Sequence, residues 1–203
     1  NGWHNDVAMN MMTPLEAIGP RVSPGEYAKA PISAGIPDHV LEDVHVVNYN
    51  DLDSIRAILA SHSIAAIILE PILQNVGIVK PLPGYLKGLR ELCSESGVVL
   101  VFDEVKTGFR TALGGYQSVC GVTPDLSVFG KALANGYPMG AIGGRADLMD
   151  YFVHEDPVRR VLIAGTYNAH PVACAAAVAT LEKLSRDGGA CFEMLEVRGQ
   201  QME

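Results

Sequence analysis

A run of apolar residues that ends in two acids constrains the fold of this chain more than any other feature. The stretch VVLVFDEVKTGFR, residues 98–110, is apolar from 98 to 102 and continues into Asp103 and Glu104. Such a run, rich in β-branched residues and bounded by turn residues, indicates a strand buried on both faces of a parallel sheet. Ligands of open α/β sheets bind at the carboxyl ends of strands, so Asp103 is expected to serve a site or to cap the next turn.

Strand and helix patterns alternate along the rest of the chain. This order predicts βαβ units with right-handed crossovers, and so an α/β fold with a mostly parallel sheet flanked by helices. The proline-rich residues 1–40 are expected to be irregular. Further strands are predicted at 44–49, at 64–70 and within 124–131, with a hairpin return at 141–144. A first helix is predicted after a cap formed by Asn50 with Asp53, and others from Tyr85 to Gly97, at 116–120 and at 146–152. The last predicted helix covers 170–189, where Pro171 begins the helix and Gly188 ends it.

Composition excludes several classes of protein. The chain has 203 residues, 48% of them hydrophobic, which suits one large globular domain or one and a half smaller ones. Its net charge of −8 argues against nucleic acid or an anionic membrane as a partner and favours a small-molecule site. The four cysteines and scattered histidines show no metal-ligand spacing, so we expect no metal site, reduced thiols and a cytoplasmic location. No apolar run is long enough to span a membrane.

Three predicted strand ends carry ionisable groups: Glu70, Asp103 and Lys131. If the strands are parallel neighbours, two carboxylates and an amine meet at one edge of the sheet, an arrangement that suits carbonyl chemistry on a lysine. Pyridoxal phosphate requires a lysine for its aldehyde and an acid facing its ring nitrogen. Lys131 and Asp103 fit these two roles. The simpler alternatives are a solvated Lys131 at a helix start and a Glu70 that only caps the turn before Pro71.

Several ordered motifs resemble one enzyme family. FDEVKTGFR, GVTPDLSVFGKALANGYPMGAIGG and AGTYNAHP look like the class III pyridoxal phosphate aminotransferases, and most of all the branch that contains glutamate-1-semialdehyde aminomutase. The resemblance covers nearly the whole chain. It implies the large domain of the type I aminotransferase architecture and a homodimer with shared active sites.

The resemblance also implies roles for single residues. Lys131 would carry the cofactor, Asp103 would pair with its ring nitrogen, and Val105 would pack on one face of the ring. The other positions that match the family's cofactor site are Glu70 at the Glu-Pro strand end, Asn75 beside the cofactor hydroxyl, and Thr166, which would reach the phosphate of the partner subunit's cofactor. Lys106 departs from the family, since many aminotransferases have glutamine there.

Motif order further predicts which part of a family member this chain represents. Residues 1–188 are expected to belong to the large cofactor-binding domain, and residues 189–203 to begin the link to a small domain. The family's phosphate-binding cup would precede residue 1, and the small domain would follow residue 203. By this comparison the chain is roughly the central half of a family member.

The predicted reaction is transfer of an amino group between a small-molecule amino donor and a keto acid or aldehyde acceptor. The first alternative is the aminomutase reaction, in which the amino group moves within one molecule. Asn75 bears on this choice, because many relatives that act on ω-amines have a glutamate there that can pair with an arginine, and an amide cannot. A non-catalytic relative is a further alternative. A nicotinamide-dependent dehydrogenase is disfavoured, because the chain has no G-x-G-x-x-G turn after a strand.

Overall fold

A four-stranded sheet forms the centre of the computed structural model, which describes residues 21–23, 26–27 and 34–202. Two short strands, Arg21–Ser23 (β1) and Glu26–Tyr27 (β2), form a separate antiparallel pair. The main sheet contains Ala66–Leu69 (β3), Val99–Asp103 (β4), Leu126–Phe129 (β5) and Ala141–Gly144 (β6), in that spatial order. Strands β3, β4 and β5 are parallel, and β6 returns antiparallel to β5. The mostly parallel sheet and the hairpin return predicted from the sequence are therefore confirmed.

Helices fill the connections between the strands, as an α/β fold requires. Helix Leu52–Ser61 (α2) precedes β3, helix Tyr85–Ser96 (α3) connects β3 to β4, and the two helices pack on each other. The remaining helices of the described residues are Asp38–Glu42 (α1), Tyr116–Cys120 (α4), Ala146–Met149 (α5), Pro171–Ser185 (α6) and Ala190–Gln200 (α7), with 3₁₀ turns at Lys131–Leu133, Asp150–Phe152 and Arg186–Gly189. Within the part of the chain that the structure describes, no helix has the length and apolar content of a membrane span.

The core lies between β4 and helix α3. Leu100 and Phe102 of β4 and Leu89 and Cys93 of α3 are all fully buried, which confirms that VVLVFDE is a central strand. Burial raises the pKa of the Cys93 thiol to about 11, so it is a protonated core residue at neutral pH. Gly97 ends α3 in the left-handed conformation, with φ of 68°, as the sequence predicts.

The predicted strand at 44–49 is wrong. Residues 44–48 have no regular secondary structure and pair with no strand of the described residues. A groove of about 810 Å³ separates them from β3 and extends to Glu70 and Asn75. The strand predicted at 64–70 is present as Ala66–Leu69, but the same groove leaves it at the edge of the described sheet with Ile68 44% exposed, so its predicted burial is wrong.

Two helix boundaries differ in detail from the predictions. The cap of α2 is Asp51, whose carboxylate accepts a hydrogen bond from the Ser54 amide at 3.0 Å. Asn50 instead takes a left-handed conformation, and its side chain binds the loop that precedes α3. Helix α6 ends at Ser185, because Asp187 and Gly188 both have positive φ and break the helix before α7. The predictions for residues 1–20, 24–25 and 28–33 lie outside the described residues.

Candidate active site

The parallel strands bring three ionisable residues to one edge of the sheet. Leu69 of β3 is paired with Phe102 of β4, so Glu70 and Asp103 leave neighbouring strands at the same level. Asp103 is in turn paired with Val128 of β5, and Lys131 follows three residues later. The convergence of Glu70, Asp103 and Lys131 was predicted from the positions of the strand ends, and the observed strand pairing confirms it.

Asp103 is held at the end of β4 by its own turn. The residue is only 7% exposed, and its Oδ1 accepts a hydrogen bond from the Val105 amide at 3.0 Å. This turn places the half-buried Val105 against the end of β5: a Cβ on Gly130 would lie 3.4 Å from Val105 Cγ1. The short turn after β4 therefore lies within van der Waals reach of the residue before Lys131.

Lys131 has an unusual backbone conformation. Its φ of 47° lies in the left-handed region, which costs a non-glycine residue energy and is concentrated at functional sites. The residue is exposed at the beginning of the 3₁₀ turn Lys131–Leu133 and makes no ion pair within the described part of the chain. The turn is anchored below by Leu133 and Ala134, which are buried against Ala177 of α6. The buried residues of the turn therefore hold the backbone in place, while the Lys131 amine stays accessible to solvent.

Glu70 and Asn75 lie on the loop that follows β3. Glu70 is 4% exposed, and its carboxylate accepts a hydrogen bond from the Gln74 amide at 3.3 Å. Tyr49 donates from its hydroxyl to the Pro71 carbonyl at 2.6 Å, and burial raises the pKa of Tyr49, so it remains a donor. Asn75 is exposed and accepts a hydrogen bond from the Lys106 ammonium. Sequence reasoning did not predict this contact, although Lys106 was noticed as a departure from the family.

Glu104 is adjacent to Asp103 but has a different environment. It is fully buried and accepts hydrogen bonds from Thr107 Oγ1 and from the backbone amides of Tyr116 and Gln117, at 2.6 to 3.1 Å. A Cβ on Gly115, which has φ of 74°, would lie 2.6 Å from Glu104 Oε1. Glu104 therefore attaches the first turn of α4 to the end of β4. Sequence reasoning missed this role; the glycines before α4 were its only signal.

Thr166 lies in a long exposed segment. All residues from 155 to 172 are exposed, and the hydrogen bonds of the described residues do not join Thr166 to Asp103 or Lys131. Its proposed contact with a partner subunit's cofactor remains a prediction. The same holds for the individual roles predicted for Lys131, Asp103, Glu70, Asn75 and Val105, since proximity alone does not establish them.

Comparison with known proteins identifies the family. A family model described as aminotransferase class III matches residues 12–195, so the chain belongs to the class III aminotransferases. This confirms the resemblance read from the motifs. Enzymes of this family depend on pyridoxal phosphate.

Individual relatives bear the names of aminomutases. The chain is 48% identical to glutamate-1-semialdehyde 2,1-aminomutase of Syntrophobacter fumaroxidans over 168 residues, which are 82% of this chain and 38% of that protein. It is 45% identical to the enzyme of the same name from Citrifermentans bemidjiense over 160 residues, 78% of this chain and 37% of that protein. The chain therefore spans less than two-fifths of the length of these relatives.

Solved structures that the fold matches are transaminases. An ω-transaminase from Sphaerobacter thermophilus superposes with a TM-score of 0.84 at 35% identity, covering 98% of this chain and 44% of that one. A transaminase with PLP bound gives a TM-score of 0.73 at 29% identity, covering 91% of this chain and 41% of that one. These matches confirm the predicted α/β fold of the aminotransferase large domain.

Proposed function

We propose that the protein containing this chain transfers an amino group between a small-molecule amino donor and a keto acid or aldehyde acceptor. The observation that carries this proposal is the position of Asp103 and Lys131 at the carboxyl ends of the paired strands β4 and β5, with Lys131 in a left-handed conformation at the start of a turn whose next residues are buried. A lysine and a carboxylate on adjacent strand ends are the two groups that pyridoxal phosphate needs from a protein.

The chemistry of the donor set fits this cofactor. Asp103 is a nearly buried carboxylate suited to a protonated ring nitrogen, and Val105 beside it offers an apolar surface for a ring face. Asn75 offers an amide to the cofactor hydroxyl, and Glu70 borders the same edge. Thr166 is exposed, as a residue that serves a partner's phosphate needs to be. These are the residues that would hold the cofactor.

When bound, pyridoxal phosphate supplies an aldehyde that exchanges between amines and a ring that accepts the electrons released at a substrate Cα. Asp103 would keep a proton on the ring nitrogen, because a carboxylate stabilises the adjacent positive charge. Lys131 Nζ, once released from the cofactor, would take the proton from the substrate Cα and return it at the former aldehyde carbon, on the other side of the transferred nitrogen. The rigid turn under Lys131 would limit where that amine can move.

The assembly and the location of the protein belong to the same proposal. We assign residues 1–188 to the large cofactor-binding domain and residues 189–203 to the start of a link to a small domain; the helix break at Asp187 and Gly188 supports a boundary at this point. A homodimer with shared sites is supported by the apolar side chains of the exposed segment 155–172, among them Val158 at 91% and Leu162 at 80% exposure. The four free thiols support a cytoplasmic location.

Replacing Lys131 tests the proposal directly. We expect Lys131→Ala in the full-length protein to abolish both turnover and the visible absorbance of covalently bound cofactor. Lys87→Ala is the matched control, because Lys87 is an exposed lysine on α3 that faces Glu91. Borohydride reduction followed by peptide mapping should place the cofactor on Lys131. A reduced adduct on Lys106 in the Lys131→Ala protein would overturn the assignment.

The aminomutase reaction is a second candidate, favoured by the names of the two relatives that are 45% and 48% identical. Asn75 is compatible with it, because a neutral amide suits a substrate of uniform shape better than a switch between two substrates. The protein in its pyridoxamine form should be mixed with a panel of keto acids and aldehydes. Return of the visible band with an acceptor supports transamination. If glutamate semialdehyde is isomerised and no acceptor restores the band, the mutase reaction replaces transamination as the proposed activity.

A further inference from the structure

Apolar residues flank Lys131 on both sides along the chain, and one aromatic ring from another strand end packs on both. Phe129 stands two residues before Lys131, and the buried Leu133 stands two residues after it. Phe109, on the turn that follows β4, has its ring centroid 5.2 Å from that of Phe129, at an interplanar angle of 44°. Phe109 also packs against the buried cluster that Leu133 and Ala134 form with α6. A single ring therefore joins the residues before Lys131 to those after it.

The turn that carries Phe109 is strained and closely packed. The φ of Phe109 is 59°, in the left-handed region that a bulky side chain rarely adopts. A Cβ on the preceding Gly108 would lie 2.7 Å from both the Glu104 carbonyl oxygen and Phe129 Cδ1. The Gly108 amide donates to the same carbonyl at 2.8 Å. The absence of a side chain at 108 therefore lets this turn approach Phe129 closely enough for the two rings to pack.

Phe109 and Lys131 thus belong to one packed unit that contains two strained residues. Neither is a glycine, and both have positive φ. Such conformations persist only where the surrounding structure enforces them, and they are concentrated at functional sites. Phe129 lies between the two, against the Phe109 ring and two residues before Lys131, so close packing transmits movement from one turn to the other. The main core around β4 and α3 includes none of these three side chains, which indicates a local role for the unit.

We propose that Phe109 is a positioning residue for Lys131. Its ring holds the residues on either side of Lys131 and so limits the positions that the exposed Lys131 amine can reach. This inference rests on the proposed function, in which Lys131 Nζ takes the proton from the substrate Cα. Proton transfer requires the amine within hydrogen-bond reach of that carbon's proton. A displaced amine therefore slows this step more than it weakens binding of the substrate.

Kinetics of the full-length, cofactor-loaded protein test this role. Phe109→Leu keeps an apolar side chain and removes the ring. We expect it to lower kcat by about tenfold, less than the roughly hundredfold loss that a displacement of about 1 Å can cause, and to leave KM within about twofold. The isotope effect on kcat with an amino donor deuterated at Cα should increase, because proton transfer becomes more fully rate-limiting. A smaller fraction of folded protein would lower kcat without changing the isotope effect.

Hydrogen exchange of the same loaded protein provides a readout that does not depend on activity. The Leu133 amide donates to the Gly130 carbonyl at 3.0 Å and so closes the turn around Lys131. Its exchange should rise by about tenfold in Phe109→Leu, the value of one aromatic pair. Leu92→Ala is the control, because Leu92 packs against the main core. It should lower the midpoint of urea unfolding and leave both the isotope effect and Leu133 exchange unchanged.

A second variant removes the other ring of the pair. Phe129→Leu should reproduce both changes, and the double variant should lose little more than either single one, because the ring contact is lost with either. Phe129→Leu carries the same test if Phe109→Leu does not fold. An unchanged isotope effect in these variants overturns the inference even if Leu133 exchange increases, since the rings would then stabilise the turn without positioning the amine. The proposed function stands in that case, whereas wild-type protein that transfers no amino group overturns both.

Discussion

The charged residues at the amino end and at the carboxyl end of strand β5 differ in whether they form ion pairs. At the amino edge of β5, Asp125 is 6% exposed and is paired with two guanidinium groups, Arg90 at 2.7 Å and Arg145 at 3.0 Å. It also accepts a hydrogen bond from the Leu100 amide at 2.7 Å, which connects β5 to β4. At the carboxyl edge, Lys131 is exposed, strained and outside any ion pair of the described residues. The paired charge of Asp125 stabilises the fold, whereas the unpaired charge of Lys131 is available for a chemical role.

The pKa of Asp125 expresses this difference. Burial works to raise that pKa, but hydrogen bonds from the Leu100 amide, Arg90 and Arg145 outweigh it and hold the pKa below its ordinary value of 3.8. A depressed pKa in the folded state means that the ionised form stabilises the fold. Asp125 therefore contributes stability by staying charged, whereas the proposed roles of Asp103 and Lys131 require contact with a ligand.

Neutralising Asp103 should have the largest effect after the loss of Lys131. We expect Asp103→Asn to lower turnover more than about a hundredfold, because the lost interaction with a charged group is worth about 1.5 to 3 kcal/mol and its importance peaks in the transition state. Cofactor binding should largely survive, since the shape of the side chain is kept. Turnover and the visible spectrum of the full-length protein are measured together. An unchanged rate would show that Asp103 does not face the ring nitrogen.

Neutralising Asp125 should lower stability and leave the cofactor site unaffected. We expect Asp125→Asn to lower the free energy of unfolding by roughly 2 kcal/mol, since two charge-assisted hydrogen bonds are lost, and to leave the visible spectrum of the bound cofactor unchanged. Urea unfolding measures the first and absorbance the second. Asp147→Asn is the control, because its partner Arg145 and Asp147 itself are both more than half exposed. A loss of cofactor binding without a loss of stability would break the comparison.

The same variant makes a prediction about pH. A carboxyl with a depressed folded pKa stabilises the fold above its ordinary pKa, and this contribution is lost as the pH falls through the folded pKa. Wild-type stability should therefore decrease as the pH falls below about 4. The Asp125→Asn protein should show a shallower decrease over that range. Parallel curves for the two proteins would mean that other acidic residues cause the loss of stability at low pH.

Removing the charge of Glu104 should have the smallest effect of the three. Glutamine keeps an acceptor for the Tyr116 or Gln117 amide but places an NH2 group among the other donors, so we expect Glu104→Gln to cost about 1 kcal/mol of stability. Turnover should fall only modestly, because Glu104 acts by positioning the turn after β4. Hydrogen exchange of the Tyr116 and Gln117 amides should increase. Unchanged exchange would mean that Glu104 does not hold α4.

Most of the fold could be read from local patterns. The apolar run before Asp103, the helix from Tyr85 with its glycine stop, and the short helix at Tyr116–Cys120 all lie where periodicity and turn residues predict them. The missing strand at 44–49 and the exposed face of β3 have one cause: an apolar strand pattern does not show which neighbouring element is present to pair with it or to cover it. The cap of α2 was misjudged because Asn50, Asp51 and Asp53 are all capable of capping, and only the backbone conformation selects Asp51.

The sequence by itself determined where β3, β4 and β5 occur along the chain, the acid at the end of β4, the lysine after β5 and the motifs of the family. Each of these features depends on residues that are close together in the chain. Tertiary structure alone decided which acids have which partners. Asp103 and Glu104 are consecutive and chemically alike, yet Glu104 is enclosed by the start of α4 while Asp103 lies at the sheet edge. Likewise, Lys106 meets Asn75 only through the pairing of β3 with β4. Side-chain pairing across long loops depends on the packing of whole elements, which no local pattern encodes.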